Sequence, residues 1–213
     1  MKKRTRFRFT YDSILIVVLV VLIVLFGILI PRNVFFQPVT LIGTTSDVAY
    51  LGLMALPMTF VIITSEIDLS VGYMLTASAM IFSEVYAITD TFFIAAACCL
   101  FAGTVFGLFN GILVAKTRMH SWLVTLGSMY IFQSITWFIG GSHSYAPGNI
   151  LVDIGRGKVF GIIPNQFLFL ILIFIVFYLL DKKMILGKYV HAIGFNQHAV
   201  TFSGISANHI KML

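Results

Sequence analysis

Two carboxylates, Glu66 and Asp68, stand in the stretch Thr64-Ser65-Glu66-Ile67-Asp68-Leu69-Ser70-Val71-Gly72, between strongly apolar segments and with no lysine or arginine close by in sequence. Acidic groups in or beside hydrocarbon are costly, so their presence there needs a physical reason. One reason is capping: Asp68 or Ser70 satisfies free N–H groups at the start of the next helix, and negative charge meets the positive end of its dipole. The other is a proton or cation relay through Glu66 and Asp68, which needs further ionisable groups along a path and finds only Glu84 farther on. Pro57, in Leu56-Pro57-Met58, removes a backbone hydrogen bond from an apolar run and is expected to kink it, either lining a pathway or packing against neighbours. Asn110, on a later apolar run, suits an interhelix hydrogen bond or a substrate contact. Pro57, Glu66, Asp68 and Asn110 are therefore the candidate residues of a substrate pathway.

Other chemistries find no support. His120, His143, His191, His198 and His209 are scattered, without the spacing of a metal site. Cys98 and Cys99 are adjacent within an apolar run, where neighbouring side chains diverge around a helix. There is no P-loop, HExxH or GxSxG, so no catalytic residue is assigned, and the chain is not expected to hydrolyse ATP itself.

The elements that must hold these residues are membrane spans. Of 213 residues, 59% are hydrophobic and 10% charged, against roughly 25% charged in soluble domains. Apolar runs long enough to cross ~30 Å of hydrocarbon recur at about 13–30, 45–64, 70–89, 91–114, 121–140 and 165–180. The expected fold is all-α: a polytopic transmembrane bundle of about six spans. The first run has a basic flank but is too long for a signal-peptide core and lacks a small-residue cleavage pattern, so it reads as a retained span. The third and fourth runs are joined so closely at Thr89-Asp90-Thr91 that they form a helical hairpin. Gly103, Gly107 and Gly111 make a smooth ridge for helix packing, and Trp122 and Trp137 bracket the fifth run as interfacial anchors.

Charge sets orientation. Lys2, Lys3, Arg4, Arg6, Arg8, Lys116, Arg118, Lys182, Lys183, Lys188 and Lys211 fall on one side, 11 of the 14 basic residues, leaving Arg32, Arg156 and Lys158 on the other. By the positive-inside rule, segment 1–12 is a basic cytoplasmic N-terminus, 13–180 is the membrane region with an outer loop at about 141–164, and 181–213 is cytoplasmic. The net charge of +6 is thus topological rather than a nucleic-acid surface, and no nucleic-acid partner is expected. Bilayer lipid is the obligatory surrounding.

Met58-Thr59-Phe60-Val61-Ile62-Ile63-Thr64 followed by Ile67-Asp68-Leu69-Ser70-Val71-Gly72 resembles the signature of ribose-type ABC importer permeases, the membrane subunits of bacterial carbohydrate uptake systems. Asn110–Lys116, Leu123–Met129, Ala192-Ile193-Gly194 with Asn196, and Ser203-Gly204-Ile205 follow in the same order, so the resemblance covers about 40–213. Ser65 and Glu66 replace the two glycines usual before Ile-Asp-Leu-Ser. Phe195, His198, Val200 and Thr201 replace the usual glycine, acidic residue, alanine and arginine of the inner loop. The family normally continues through further spans beyond the Gly-Ile pair, so the chain resembles the N-terminal portion of a permease.

The resemblance implies a subunit of an ATP-driven importer in the bacterial inner membrane, passing a sugar or sugar-like solute. Its implied partners are an extracytoplasmic sugar-binding protein, a cytoplasmic ABC ATPase that carries the ATP and Mg, and a second permease copy, identical or not. No cofactor is expected in this chain. Ala199, Ser203, Gly204 and Ile205 correspond to the family's coupling loop to the ATPase, although the same loop could instead be a frayed chain end. Two rival readings stay open: a truncated, non-transporting remnant and an ion-coupled secondary transporter.

Overall fold

The computed structural model describes residues 11–117, 119–140 and 155–212. The N-terminal lysines and arginines, Arg118 and most of the outer loop lie outside the described residues. A run without charges has nowhere to satisfy its backbone in hydrocarbon except within itself, and helix is what these runs form. The helices are α1 (Tyr11–Leu29), α2 (Pro38–Ile63), α3 (Val71–Thr89), α4 (Phe92–Thr117), α5 (Ser121–Gly140), α6 (Asn165–Lys183), α7 (Ile185–Phe202) and α8 (Ala207–Met212). Five of them, α2 to α6, are long and apolar enough to cross a membrane, and α1 adds a slightly shorter apolar stretch. The chain is an all-α, multi-pass membrane protein.

Packing is consistent with a chain that reverses at every span. Tyr50 meets Gln166 and Phe60 meets Phe177, so α2 and α6 run in the same direction. Phe82 against Phe92 and Ser70 against Asn110 make α3 and α4 antiparallel. Ile67 with Ser121, Tyr73 with Gln133 and Met80 with Gly140 make α3 and α5 parallel. Helices α3, α4 and α5 form one packed group, α2 and α6 another, and α7 and α8 tie the two together at one end of the bundle. Most large apolar side chains face outward, as lipid-facing surfaces require.

One boundary departs clearly from the sequence expectation. Helix α2 starts at Pro38, not near 45: Pro38 takes the first helical position, and the polar stretch after it turns its hydroxyls onto the helix, Thr44 to Thr40 O, Thr45 to Leu41 O and Ser46 to Ile42 O. Pro57 lies inside α2, and the helix runs on through it to Ile63. The α3–α4 hairpin forms as expected, with Asp90 left-handed at the turn. Of the glycine ridge on α4, Gly103 faces Ser78 of α3 and Gly111 faces the Met212 backbone of α8, while Gly107 faces open space.

Candidate functional site

The segment 64–70 breaks the chain between α2 and α3: its first three N–H groups close back onto α2 carbonyls, and beyond them the backbone is held by side chains. Ser65 takes a left-handed conformation (φ 63°), which turns the chain out of α2. The Ile67 N–H donates to Ser121 Oγ at 2.9 Å and the Leu69 N–H to Thr125 Oγ1 at 3.1 Å. Ser121 and Thr125 are four residues apart on α5, so both hydroxyls present on one helix face, and both are buried. A non-helical segment is thereby paired to a helix through two side chains.

Asp68 and Asn110 join the same network. Asp68 Oδ1 accepts the Ser70 N–H at 2.7 Å and the Ser70 hydroxyl at 2.6 Å, just ahead of α3. Asn110 Nδ2 donates to Ser70 Oγ at 2.7 Å across from α4. Ser70 is fully buried and Asn110 is 5% exposed. A chain of donors therefore runs from Asn110 to Ser70 to Asp68 and ties α4 to the start of α3, strengthened by the charged acceptor at its end. Asn110 Oδ1 has no hydrogen-bond partner among the described residues.

Glu66 turns to the other side, where the Lys211 ammonium of α8 pairs with its carboxylate and also donates to Gln197 Oε1 at 3.0 Å. The cation that sequence proximity did not supply comes from the far end of the chain. Of the candidate pathway residues, Asp68 and Asn110 belong to one network, Glu66 sits beside it on the α8 side, and Pro57 lies apart as an exposed residue of α2. Glu84 stands more than three turns along α3 from Asp68.

The segment 197–205 is exposed and sharply bounded. Asn196 has an extended backbone (φ −161°, ψ 97°) that splits α7 in two, and its Oδ1 accepts the Ala199 N–H at 3.0 Å, the geometry of an N-cap. At the other end Gly204 is left-handed (φ 82°). The Ile205 N–H returns to Val200 O and the Gly204 N–H to Thr201 O, a Schellman closure. Val200, with Ile193 and Ala207, forms a small core against which Ile205 packs. Ala199, Ser203 and Gly204 point outward, flanked by the almost bare rings of Phe195 and Phe202. Two residues before the extended Asn196, Gly194 lies so close to Ile63 O that a Cβ there would collide with the end of α2.

Asn196, Gln197, Lys211, Ser121 and Thr125 carry much of this geometry and were not singled out as site residues in the sequence. The i, i+4 pair of hydroxyls on α5 was the legible signal. Two apolar hollows open on the flanks of the bundle, one between α2 and α6 at Gly52, Leu56 and Phe174, the other between α3 and α4 at Ile81, Cys98 and Phe101. Neither is lined by a carboxylate, imidazole or amide, so both suit lipid chains or a neighbouring helix rather than a polar solute. Among the described residues no cluster of metal-ligating side chains occurs.

Comparison with known proteins gives the arrangement its context. Residues 40–213 match the family model described as branched-chain amino acid transport system / permease component. The ribose import permease protein of Haemophilus influenzae is 29% identical over 210 residues, covering 96% of this chain and 64% of that protein. The ribose import permease protein of Bacillus subtilis is 32% identical over 205 residues, covering 92% and 61%. The D-allose transport system permease protein of Escherichia coli is 31% identical over 191 residues, covering 88% and 58%. The chain thus spans less than two thirds of the length of these relatives. No solved structure matches it. With the matched region running from the start of α2 through the network around Asp68 to α8, the chain belongs to the family of branched-chain amino acid transport system permease components.

Proposed function

We propose that this chain supplies part of the translocation path of an ATP-driven importer for a sugar or sugar-like solute, and that segment 197–205 is where a cytoplasmic ATPase docks. The relatives named for ribose and allose import support the solute class. The observation that carries the docking assignment is the exposed, doubly capped 197–205 unit tied to the α2–α3 break by Lys211, Glu66 and Gln197. In this reading the two caps make the unit move as one body, and rigid contiguous parts are what can pass a displacement.

In this reading the N-terminus and 181–213 are cytoplasmic, as the distribution of lysine and arginine indicates. Closure of two ATPase subunits, which bind the ATP and Mg, pushes on Ala199, Ser203 and Gly204. The push reaches α2 through the close contact of Gly194 with Ile63, and reaches segment 64–70 through Lys211 and Glu66. That segment hangs on Ser121 and Thr125 of α5 and leads directly into α3, so α3 and α5 respond together. The solute arrives from an extracytoplasmic binding protein. The two hollows on the flanks of the described residues are apolar, and in this reading the polar passage is shared with a second permease copy.

An ion-coupled carrier would want free ionisable groups along a path, whereas Glu66 is paired with Lys211 and Asp68 is occupied by Ser70. The test is uptake of radiolabelled ribose and allose into proteoliposomes holding the full permease with its ATPase and binding protein. Uptake that requires ATP and the binding protein is expected. Uptake driven by an ion gradient without the ATPase would overturn the assignment.

A further inference from the structure

We propose that the short hairpin ahead of α6 is a lipid anchor, in which Phe160 and Ile162 enter the hydrocarbon edge of the bilayer while Arg156 and Lys158 meet lipid phosphates. Strands β1 (Lys158–Val159) and β2 (Ile163–Pro164) pair antiparallel, and the Asn165 N–H at the head of α6 donates back to Gly157 O at 3.0 Å. The hairpin therefore sits on the end of α6 opposite Lys182 and Lys183.

Continuity with the span points to lipid as the occupant. Helix α6 is long and apolar enough to cross a membrane, and the charge-free stretch does not stop at its head but continues back through Pro164 to Val159, so the apolar residues of the hairpin lie at the membrane edge of the span. The other end of α6 is marked by Asp181, Lys182 and Lys183, with Asp181 engaged by Lys182 and His191, so the hairpin stands at the opposite membrane edge. Phe160, Ile162 and Ile163 are all exposed there, extending the apolar surface beyond the helix.

The hairpin tip is shaped for presentation, not for packing. Phe160 (φ 53°) and Gly161 (φ 72°) are both left-handed, with the Ile162 N–H bonded to Val159 O at 3.3 Å. Glycine or asparagine is the ordinary choice for the first of these positions, and a bulky aromatic is disfavoured there. The protein around it does not offset that cost by burying the ring: Phe160 is 90% exposed and Ile162 67%. Arg156 and Lys158 are exposed beside the tip, and against the one acidic residue that precedes them in sequence, Asp153, they leave the stretch 153–180 net positive, which complements anionic headgroups. An apolar tip flanked by basic residues at a span end is the pattern of an interfacial anchor.

A nitroxide at Phe160→Cys, in a Cys98→Ala/Cys99→Ala background and in phosphatidylglycerol-containing proteoliposomes, reports depth through its collisions with oxygen and with a water-soluble nickel chelate. Greater access to oxygen than to the chelate is expected, relative to a label at exposed His198. A second label at Leu168 should shift in depth when Phe160 and Ile162 are both replaced by serine, exposed changes that leave the helices packed. Chelate access at Phe160 equal to that at His198, no movement of Leu168, or shielding that appears only when the binding protein is added would each overturn the anchor, the last in favour of a protein-docking surface.

Discussion

Lys211 of α8 pairs with Glu66 of the α2–α3 break, so the last described turn of the chain holds a carboxylate that stands between two membrane-spanning helices. Both side chains are largely withdrawn from solvent, 11% and 22% exposed. Breaking such a pair leaves one charge without its partner, and that is costlier than removing both. Lys211→Met should therefore destabilise the chain by about 1 to 3 kcal/mol, less than the loss for a fully buried pair. Glu66→Gln/Lys211→Met should recover much of that. Thermal unfolding in detergent measures both, and a double variant less stable than either single one would show that the ion pair does not hold α8 in place.

Asp68 acts in the structure as an acceptor for two donors of Ser70. Asparagine keeps an oxygen there, whereas leucine removes it and leaves a buried hydroxyl and N–H without their acceptor, a loss of about 1 to 3 kcal/mol. Asp68→Asn should thus unfold at a higher temperature than Asp68→Leu. If the Asn variant folds normally while the full permease carrying it loses all uptake, the charge itself has a role beyond local structure.

The span pattern is readable because lipid imposes it: each uncharged run must satisfy its own backbone, so hydropathy alone marks α3, α4, α5 and α6 nearly to their ends. Helix α2 is longer than its apolar run because Pro38, Thr40, Gly43 and Thr44 look like a loop by composition, and only the structure has the Thr40 and Thr44 hydroxyls folded onto the helix or its approach. The pairing of Glu66 with Lys211 has no local trace, since 145 positions separate them. Asn196 stands in the matched segments, but an asparagine inside an apparently continuous helical stretch does not announce that it ends one helix and caps the next.

Gly194 is required by proximity, not by its own conformation. A methyl group added there would meet Ile63 O, backbone rather than a side chain that can swing away. Gly194→Ala should push α7 off the end of α2 and cost about 1 to 3 kcal/mol, the usual range for overpacking. Disulfide trapping between cysteines introduced at Ile62 and Phe195, in a background lacking Cys98 and Cys99, follows the separation. Trapping that is as efficient in the Gly194→Ala variant as in the parent would mean that the contact is dispensable.

Gly204 differs, because there the constraint is the backbone: φ is 82° and open space surrounds the position where a Cβ would be. Valine resists that conformation, whereas asparagine enters it more readily than other side-chain-bearing residues. Gly204→Val should undo the return bonds from Ile205 to Val200 and from Gly204 to Thr201, and so swing the exposed face of Ala199 and Ser203 away from its position over the small core. Insertion should survive, since the spans fold upstream of this turn. The expected outcome is a Gly204→Val protein at normal level in the membrane fraction that retains less co-expressed ATPase in detergent pull-downs, with Gly204→Asn close to the parent. Equal retention by the valine variant would remove segment 197–205 from the docking role, and loss of retention by both variants alike would show that conformational strain is not what the glycine relieves.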